Sequence, residues 1–569
     1  MKRYLLSVFV ILIFVRFAVC QSSSAPDPYK PILDHLQSLN SQGEVEWRFH
    51  SDVAHPEDPL VTDSDWDTLA VKNISGPGGR NEHEDHWTGT RVFRRWIQIP
   101  DKINGYATHG SRVMLDLRFG SPGSLMITVF SNGAMTYRGD DDNIQPMLLT
   151  ENAQPGQRFL VAARVVAGDD VQAEFFHSEL TIAPPAARPD PGLLRMEILA
   201  ARPIISAYED GKLQREQQFD AAVKAIDFSP LDRGDQAAFD ASLVQAQSKL
   251  ELLKPWLQQF RIRAVGNSHI DMAWLWPWTE TVEVVRNTFL SVLDLMREYP
   301  DFKFTMSSAR TYEWMQEKYP DIFAQIQQRV KEGRWEIIGG MWVEPDLNMP
   351  AGESLVRQIL VGKRYFQKNF GVDIKIGWNP DSFGYNWQLP QIYKKSGMDY
   401  FVTQKLLWAH EFTTFPYKLF WWQAPDGSRL LTYFPHDYAG GIDADSLATD
   451  LSIWMPSIYG KTVPKDAEMM HLYGVGDHGG GPTRTMLDHA DQLRTSSTVF
   501  PKIEFSFASN FFSDLETKLP DMQVPTWNGE LYFQYHRGVF TTQAETKRRI
   551  RRAEELVLNA EEFASLATL

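Results

Sequence analysis

The chain of 569 residues has a single cysteine, Cys20, and no surplus of positive charge, because 57 Lys and Arg face 72 Asp and Glu for a net charge of −15. If Cys20 is removed with a leader, the mature chain has no thiol, which excludes disulfides and cysteine-bound metals. The negative balance argues against nucleic acid and anionic membrane surfaces as partners. After residue 20 no segment has the roughly 18 consecutive apolar residues of a membrane span, so we expect no membrane partner once the leader is cleaved.

Residues 1–20 have the pattern of a secretory signal peptide. A basic start is followed by an apolar run over 4–15, which is too short to cross a bilayer, and then by small residues. We therefore expect the protein to be secreted or periplasmic. Arg16 leaves a retained anchor open, and lipid attachment at Cys20 is a weaker alternative because the residues before it form a poor lipobox.

The rest of the chain divides into five parts. Residues 21–44 are polar and rich in Ser and Pro, which predicts a linker. Short alternating segments between Gly, Pro and Asp clusters predict an all-β sandwich over 45–204, and helical spacing predicts a connector over 205–257. Strand-like and helix-like stretches alternate over 258–538, which predicts an α/β domain with a largely parallel sheet, open or closed as a barrel. Residues 539–569 have the pattern of one amphipathic helix, within which the chain stops and whose apolar stripe needs a partner.

Polar and aromatic residues follow the predicted strands of the α/β domain. The carboxyl ends of parallel strands meet at one edge of a sheet, where chemistry collects. Each strand end alone is more often a structural pair or a turn, but six of them at one edge indicate a site. The candidates are His269, Asp271, Trp342, Glu344, Asp346, Asp381, Lys405, Trp408, His436, Asp437, Asp477 and His478.

These residue types suit two kinds of chemistry. Cleavage of a glycosidic bond needs two carboxyl groups, one ionised and one protonated. A divalent metal without cysteine prefers histidine nitrogen and carboxylate oxygen. His269 and Asp271 are two apart at the end of a strand and so point the same way. They form either a salt-bridged pair or half of a metal site.

The chain resembles the zinc-dependent α-mannosidases of glycoside hydrolase family 38, in the branch with the cytosolic and vacuolar enzymes. The resemblance extends over 205–569 and rests on seven segments in the family's order: GNSHIDMAWLWPW, GGMWVEPDLNMPAGESLVRQ, WNPDSFGYNWQLPQI, TQKL, FWWQAPDGSRLLTYFP, LYGVGDHGGGPT and GELYFQYHRGVFTTQAETKR. It implies that the α/β domain is a distorted β/α barrel with parallel strands, followed by the start of a helical bundle. It also implies a retaining α-mannosidase that acts on a mannose-containing oligosaccharide.

The resemblance implies one zinc ion per chain. Its ligands would be His269, Asp271, Asp381 and His536, and Asp381 would also be the nucleophile. Zinc with open coordination can hold two adjacent hydroxyls of one sugar.

The acid/base we favour is Asp477, ahead of Asp346 and Glu344. Such a group must carry a proton at working pH, so its surroundings should raise its pKa. The residues expected to contact the sugar are Trp274, Trp276, Trp342, Glu344, Asp346, Lys405, Trp408 and His478.

Two positions depart from the family pattern. Asn267 stands where the family has the first residue of a His-Ser-His triplet, and His478 replaces the first of four glycines. A metal-dependent polysaccharide deacetylase and a non-catalytic sugar-binding protein are the alternatives to a mannosidase. The oligomeric state is open, with a homo-oligomer as one option.

Overall fold

The structure is a computed structural model that describes residues 27–569, apart from 44, 72–85, 122–124, 140, 142–143, 145, 169–170, 409–414, 461–463, 465 and 496–499. The predicted signal peptide, with Cys20, lies outside the described residues. No described helix is both long enough and apolar enough to cross a membrane.

Two antiparallel sheets form the first part of the chain. One has four strands in the order β1-β12-β7-β10 and the other has six in the order β3-β2-β4-β11-β8-β9, while β5 and β6 form a separate hairpin. Their bounds are β1 (Ser41–Gln42), β2 (Val45–His50), β3 (Asp67–Val71), β4 (Thr90–Gln98), β5 (Lys102–Ile103), β6 (Tyr106–Ala107), β7 (Arg112–Gly120), β8 (Met126–Ser131), β9 (Ala134–Gly139), β10 (Met147–Thr150), β11 (Arg158–Val166) and β12 (Glu174–Ala183).

The inner faces of the two sheets pack together as a sandwich. Every second residue of β7 is buried, as expected of a strand with one face on a core. Phe93 from the larger sheet packs against Phe119 and Phe175 from the smaller one, with ring centroids 5.8 and 4.9 Å apart. The structure therefore has the β-sandwich that the alternating segments predict.

The described part of residues 21–44 is not a linker, so that prediction is wrong there. Helix α1 (Lys30–Ser38) places Leu33 and Leu36 in the core, and β1 pairs with β12. The three- to four-residue spacing of a few leucines in a polar stretch is enough to make one buried helix face. Composition alone obscures this pattern.

Helices connect the sandwich to the α/β domain, and they begin before the predicted boundary at 205. The side chain of Asp190 accepts hydrogen bonds from two backbone N–H groups of the first turn, and Pro191 occupies the first helical position. This proline-rich start resembles a loop in sequence. The connector consists of α2 (Pro191–Ala207), α3 (Lys212–Val223), α4 (Ser229–Asp232), α5 (Gln236–Leu250) and α6 (Lys254–Leu257).

Strands and helices alternate after residue 260, and most of the strand pairs are parallel. The strands are β13 (Arg261–Asn267), β14 (Phe304–Met306), β15 (Trp335–Ile337), β16 (Ile376–Trp378), β17 (Gly384–Tyr385), β18 (Tyr400–Val402), β19 (Leu419–Gln423), β20 (Arg429–Tyr433), β21 (Glu468–Tyr473), β22 (Lys502–Phe505), β23 (Thr526–Asn528) and β24 (Leu531–Tyr532). The helices are α7 (Trp278–Glu298), α8 (Ala309–Lys318), α9 (Pro320–Lys331), α10 (Gly352–Phe370), α11 (Leu389–Lys395), α12 (Ala444–Thr449), α13 (Met455–Tyr459), α14 (Arg484–Thr495) and α15 (Ala508–Lys518).

Ten of these strands form two five-stranded sheets, and the other two, β17 and β24, pair with each other antiparallel. One has the order β15-β14-β13-β21 with β22 also paired to β13, and the other has the order β16-β18-β20-β19-β23. The pairs β13–β14, β13–β21, β14–β15, β16–β18 and β18–β20 are parallel, whereas β19 runs antiparallel to β20. The α/β class is as predicted, but the described strands do not form one continuous barrel ladder. The two sheets meet where the Gly339 N–H donates to the Ile376 carbonyl.

The last helix, α16 (Ala544–Thr568), lies within the stretch predicted to start a bundle. None of its residues is buried. It is tied to α10 by ion pairs and hydrogen bonds, among them Arg357 with Glu561 and the Ala351 N–H with Glu554.

Replacing Leu36 by Ala tests whether α1 is part of the folded unit. Leu36 is fully buried, so the change should lower the free energy of unfolding by roughly 2–5 kcal/mol. The matched control is Leu213→Ala on α3, where the leucine is 68% exposed and the cost should stay within about 0.5 kcal/mol. Urea unfolding of both variants checks this, and equal midpoints would contradict the packing of α1.

Candidate active site

The carboxyl ends of five strands bring one group of side chains together. His269 and Asp271 follow β13, Asp381 follows β16, Lys405 follows β18, and Asp477 follows β21. The hydroxyl of Tyr438, from the segment after β20, joins them. Strands of both five-stranded sheets therefore bring their carboxyl ends to one site.

The imidazole of His269 lies between two carboxylates. Its Nδ1 is 3.0 Å from Oδ1 of Asp477, and its Nε2 is 3.1 Å from Oε2 of Glu344. Burial alone would lower the pKa of His269, but the charges of and hydrogen bonds to these carboxylates raise it well above its usual range. The ring is almost inaccessible to solvent, so its orientation is set by these two bonds.

Both carboxylate oxygens of Glu344 bond to other groups of the site. Its Oε1 accepts hydrogen bonds from the backbone N–H groups of Asp381 and Ser382, at 3.0 and 3.1 Å, while Oε2 faces His269. Both oxygens are thus used within the protein. This differs from the sugar contact predicted for Glu344, because the strand-end pattern does not show that the Asp381 turn lies over this carboxylate.

Asp381 is held by two donors on the same oxygen. Lys405 Nζ lies 2.5 Å and the hydroxyl of Tyr438 2.6 Å from Oδ1. Among the described residues both bonds fall on Oδ1, so Oδ2 can face a metal or a substrate. Lys405 is buried and also lies 3.5 Å from the centre of the Trp408 ring, a cation–π contact that fixes its position.

Tyr438 is the site residue that the sequence reasoning missed. Its hydroxyl lies 3.2 Å from Oδ1 of Asp477 as well as 2.6 Å from Asp381. The strand-end pattern points to His436 and Asp437 in the same segment, FPHDY. Instead, Asp437 caps the backbone of the turn and His436 binds Asp450, away from the other strand ends. A signal existed, since an aromatic hydroxyl follows a strand end there.

Asp477 adopts a left-handed backbone conformation, with φ of 64°. It lies in a glycine-rich loop that packs closely against its neighbours. A Cβ on Gly474 would lie 2.0 Å from the carbonyl oxygen of Asn267, and one on Gly479 would lie 2.6 Å from the Thr288 hydroxyl. These close approaches explain the glycines around Asp477. They also leave its carboxyl half-exposed at the mouth of the site.

The pKa of Asp477 is lowered, contrary to the rise expected of an acid. Burial raises it, but the hydrogen bond and charge of His269, with Lys405 and Tyr438, outweigh that effect. This direction holds while both ring nitrogens of His269 bond to carboxylates. Metal binding through Nε2 would replace the bond to Glu344 and withdraw the imidazolium charge from Asp477.

Three of the four predicted metal ligands come together. His269, Asp271 and Asp381 each offer one ligand atom, and these atoms all lie within 4.8 Å of one another. Burial raises the pKa of Asp271 to about 7, with His269 opposing and the neighbouring carboxylates adding to the rise. Nitrogen and oxygen donors in a pocket crowded with negative charge suit a divalent cation such as zinc.

His536, the fourth predicted ligand, lies beside this group without belonging to it. Its ring is 5.3 Å from that of Phe383, two residues after Asp381, and 6.3 Å from that of Trp408. Burial, followed by the charge of Lys405, lowers its pKa, so the neutral ring that a metal ligand requires is favoured. Its ligation stays a prediction.

Tryptophans form one rim of the site. Trp274 is mostly exposed and meets Trp276 edge to face at 5.6 Å. His478 lies edge-on to Trp276 at 4.3 Å, and its Nε2 is 3.0 Å from Glu280 at the start of α7. His478, which departs from the family pattern, thus contacts the tryptophan rim, and its contact with substrate stays a prediction.

Three predicted sugar-contact residues remain: Trp408, Trp342 and Asp346. Trp408 stacks parallel to Tyr438 at 6.4 Å and is partly exposed, so it can line the cleft. Trp342 packs edge to face on Tyr365 of α10. Oδ1 of Asp346 accepts hydrogen bonds from the backbone N–H groups of Asn348 and Met349 and so caps a turn. The sugar contacts of Trp342 and Asp346 stay predictions.

The side chain of Asn267 faces the neighbouring strand. Its amide nitrogen donates to the Tyr473 carbonyl at 3.4 Å, and the residue is fully buried. This departure from the family pattern therefore lies in the buried contact between β13 and β21.

An α/β domain with a histidine, a lysine and four carboxylates at the carboxyl ends of its strands has the features of a catalytic domain. Residues 259–530 match the family model described as Glycosyl hydrolases family 38 N-terminal domain. This part of the chain is similar to that domain, and the resemblance found in the sequence is confirmed over these residues.

The relatives support the same family. Alpha-mannosidase G of Dictyostelium discoideum is 42% identical over 290 residues, covering 51% of this chain and 26% of that protein. Alpha-mannosidase of Saccharomyces cerevisiae is 39% identical over 303 residues, covering 52% and 27%. Alpha-mannosidase 2C1 of Homo sapiens is 38% identical over 315 residues, covering 54% and 29%. The chain thus spans between a quarter and a third of the length of these three relatives.

Asp271→Asn tests the metal site without an activity assay. The change removes a ligand charge, so the Kd for zinc should rise at least about tenfold. Asp346→Asn is the matched control, because its carboxylate only caps a turn. Isothermal titration of the dialysed proteins with zinc measures both, and equal affinities in the two variants would contradict the site.

Proposed function

We propose that the protein is a retaining α-mannosidase that removes terminal α-linked mannose from oligosaccharides or glycans with the help of one zinc ion. The observation that carries this proposal is the position of Tyr438, whose hydroxyl touches Asp381 and Asp477 beside the His269 and Asp271 ligand pair. The family 38 domain over 259–530 and relatives named alpha-mannosidase support the substrate class.

The carboxyl separation supports retention of configuration. The Tyr438 hydroxyl lies 2.6 Å from Oδ1 of Asp381 and 3.2 Å from Oδ1 of Asp477. The two Oδ1 atoms therefore cannot be further apart than these two distances combined. Retaining enzymes place their two carboxyl groups about 5–5.5 Å apart, whereas inverting enzymes leave a wider gap for water.

Asp381 is the nucleophile in this proposal. Lys405 and Tyr438 donate to its Oδ1, while Oδ2 attacks the anomeric carbon and forms the glycosyl–enzyme bond as the bond to the leaving oxygen breaks. Asp477 gives its proton to that oxygen. It then takes a proton from the water that attacks the anomeric carbon and releases Asp381.

His269, Asp271 and Asp381, with His536 nearby, would hold the zinc ion. When bound, it would supply Lewis-acid contact with two adjacent hydroxyls, which would favour mannose for its axial 2-hydroxyl. Trp274, Trp276 and Trp408 would present flat apolar surfaces to the sugar rings.

We also propose that the protein acts outside the cytoplasm. This rests on the signal-like sequence over 1–20 alone. Cell fractionation together with amino-terminal sequencing of the mature protein tests it.

Hydrolysis of an aryl α-mannoside tests the proposed function. We expect mannose release that stops with a chelator and returns when zinc is added. Acetate release from an acetylated polysaccharide would instead indicate a deacetylase. Mannose binding without turnover in the zinc-loaded protein would indicate a sugar-binding protein.

Asp477→Ala should lose most of its activity on mannosides with poor leaving groups. An activated aryl group departs without protonation, so those substrates should be affected far less in the glycosylation step, and azide should restore turnover as an external nucleophile. Asp381→Asn is the comparison: it should fail on both substrate kinds, with no rescue by azide. Equal losses of Asp477→Ala on both, without rescue, would assign the acid to another residue.

A further inference from the structure

A second cluster of titratable side chains lies behind the active site. Asp450 is completely buried at the start of a π-helical turn, Asp450–Trp454, which follows α12. Its Oδ1 is 3.1 Å from Nδ1 of His436, and its Oδ2 is 2.5 Å from Nδ1 of His471. A wide turn of this kind inside a helix is often found at functional sites.

The hydrogen bonds of His471 define its charge. Nδ1 faces the Asp450 carboxylate and Nε2 lies 2.7 Å from the carbonyl oxygen of Gly441. Both partners are acceptors, so both ring nitrogens must donate, and His471 is an imidazolium. Burial alone would lower its pKa, but the charge of Asp450 and these bonds raise it. A buried ion pair with every hydrogen bond made has a strongly preferred geometry.

This ion pair holds the segment 434–443 on both sides of Tyr438. His436, two residues before Tyr438, is bound to one oxygen of Asp450, and Gly441, three residues after it, is bound through His471 to the other. The Gly440 carbonyl also accepts from the Gly474 N–H at 2.9 Å. The segment between these ties carries Tyr438 to the two carboxylates of the site.

We propose that the buried Asp450–His471 pair is the positioning device for Tyr438, and through it for the Asp381 and Asp477 carboxylates. This inference rests on the proposed function. Asp450 touches no reacting atom in this arrangement. Its effect on catalysis passes through the hydroxyl of Tyr438, which is what separates it from a general contribution to stability.

A double-mutant cycle on aryl α-mannoside hydrolysis tests this route. Asp450→Asn should lower kcat about tenfold or more with KM changed less than about twofold, because the Tyr438 hydroxyl bonds to the two carboxylates proposed to carry the reaction. In the Tyr438→Phe background the same change should lower kcat less than about twofold, since the group it positions is absent. Equal effects in both backgrounds would overturn the proposal.

Glu468→Gln is the matched control. Glu468 lies on the same strand as His471, is equally buried, and pairs with Arg263 and Lys518. Within the described part of the chain its side chain makes no hydrogen bond or ion pair to segment 434–443, so its loss should reduce stability without a coupled fall in kcat. A kcat loss in Glu468→Gln that matches Asp450→Asn and also disappears in Tyr438→Phe would overturn the assignment.

Amide hydrogen exchange separates this inference from the proposed function. Asp450→Asn should speed exchange in 434–443, whereas Glu468→Gln should not. Unchanged exchange overturns the inference even if the wild-type protein hydrolyses mannosides. An inactive wild-type protein would overturn the proposed function and with it the catalytic role of the pair. Amide hydrogen exchange would still show whether the pair holds segment 434–443 in place. If Asp450→Asn does not fold, His436→Ala removes one tie at a partly exposed residue and is expected to show the same pattern.

Discussion

The gathering of negative charge around His269 is the constraint on which the rest of the site depends. Asp271, Glu344, Asp381 and Asp477 converge on one imidazole and one lysine, largely out of water. Carboxylates cannot share a desolvated pocket without positive partners. The surrounding groups supply these partners. Glu344 accepts hydrogen bonds from two backbone N–H groups and faces His269, and Asp381 bonds to Lys405 and a tyrosine hydroxyl.

At the amino ends of β13 and β21 the charged side chains are arranged differently. Arg263 on β13 bonds to Glu468 on β21 and to Glu504 on β22, and Lys518 adds a second cation beside Glu468. There the charges are paired within the protein, so the amino ends of the strands form a closed, structural network. At the carboxyl ends the carboxylates outnumber their side-chain cations. This asymmetry along one pair of strands explains why a divalent metal suits one end and not the other.

The sequence predicted much of this arrangement and missed its supporting contacts. The α/β class and the convergence of His269, Asp271, Asp381, Lys405 and Asp477 follow from strand alternation, because parallel strands place their carboxyl ends at one edge. The functions of Glu344, Asp346 and His436 could not be predicted in this way. They depend on which backbone N–H or side chain lies opposite, as with Glu344 and a turn 37 residues further along the chain.

By itself the sequence determined the kinds of chemistry and their order along the chain, since residue types and strand periodicity are local properties. It determined that histidine and carboxylates, and not cysteine, would be the available ligands. Tertiary structure decided which carboxylates gather around His269 and which oxygens bond to backbone N–H groups. It also decided that Tyr438, in a segment held by a buried ion pair, meets both catalytic candidates. Hydrogen bonds and burial connect residues far apart in sequence, and no local pattern encodes those distances.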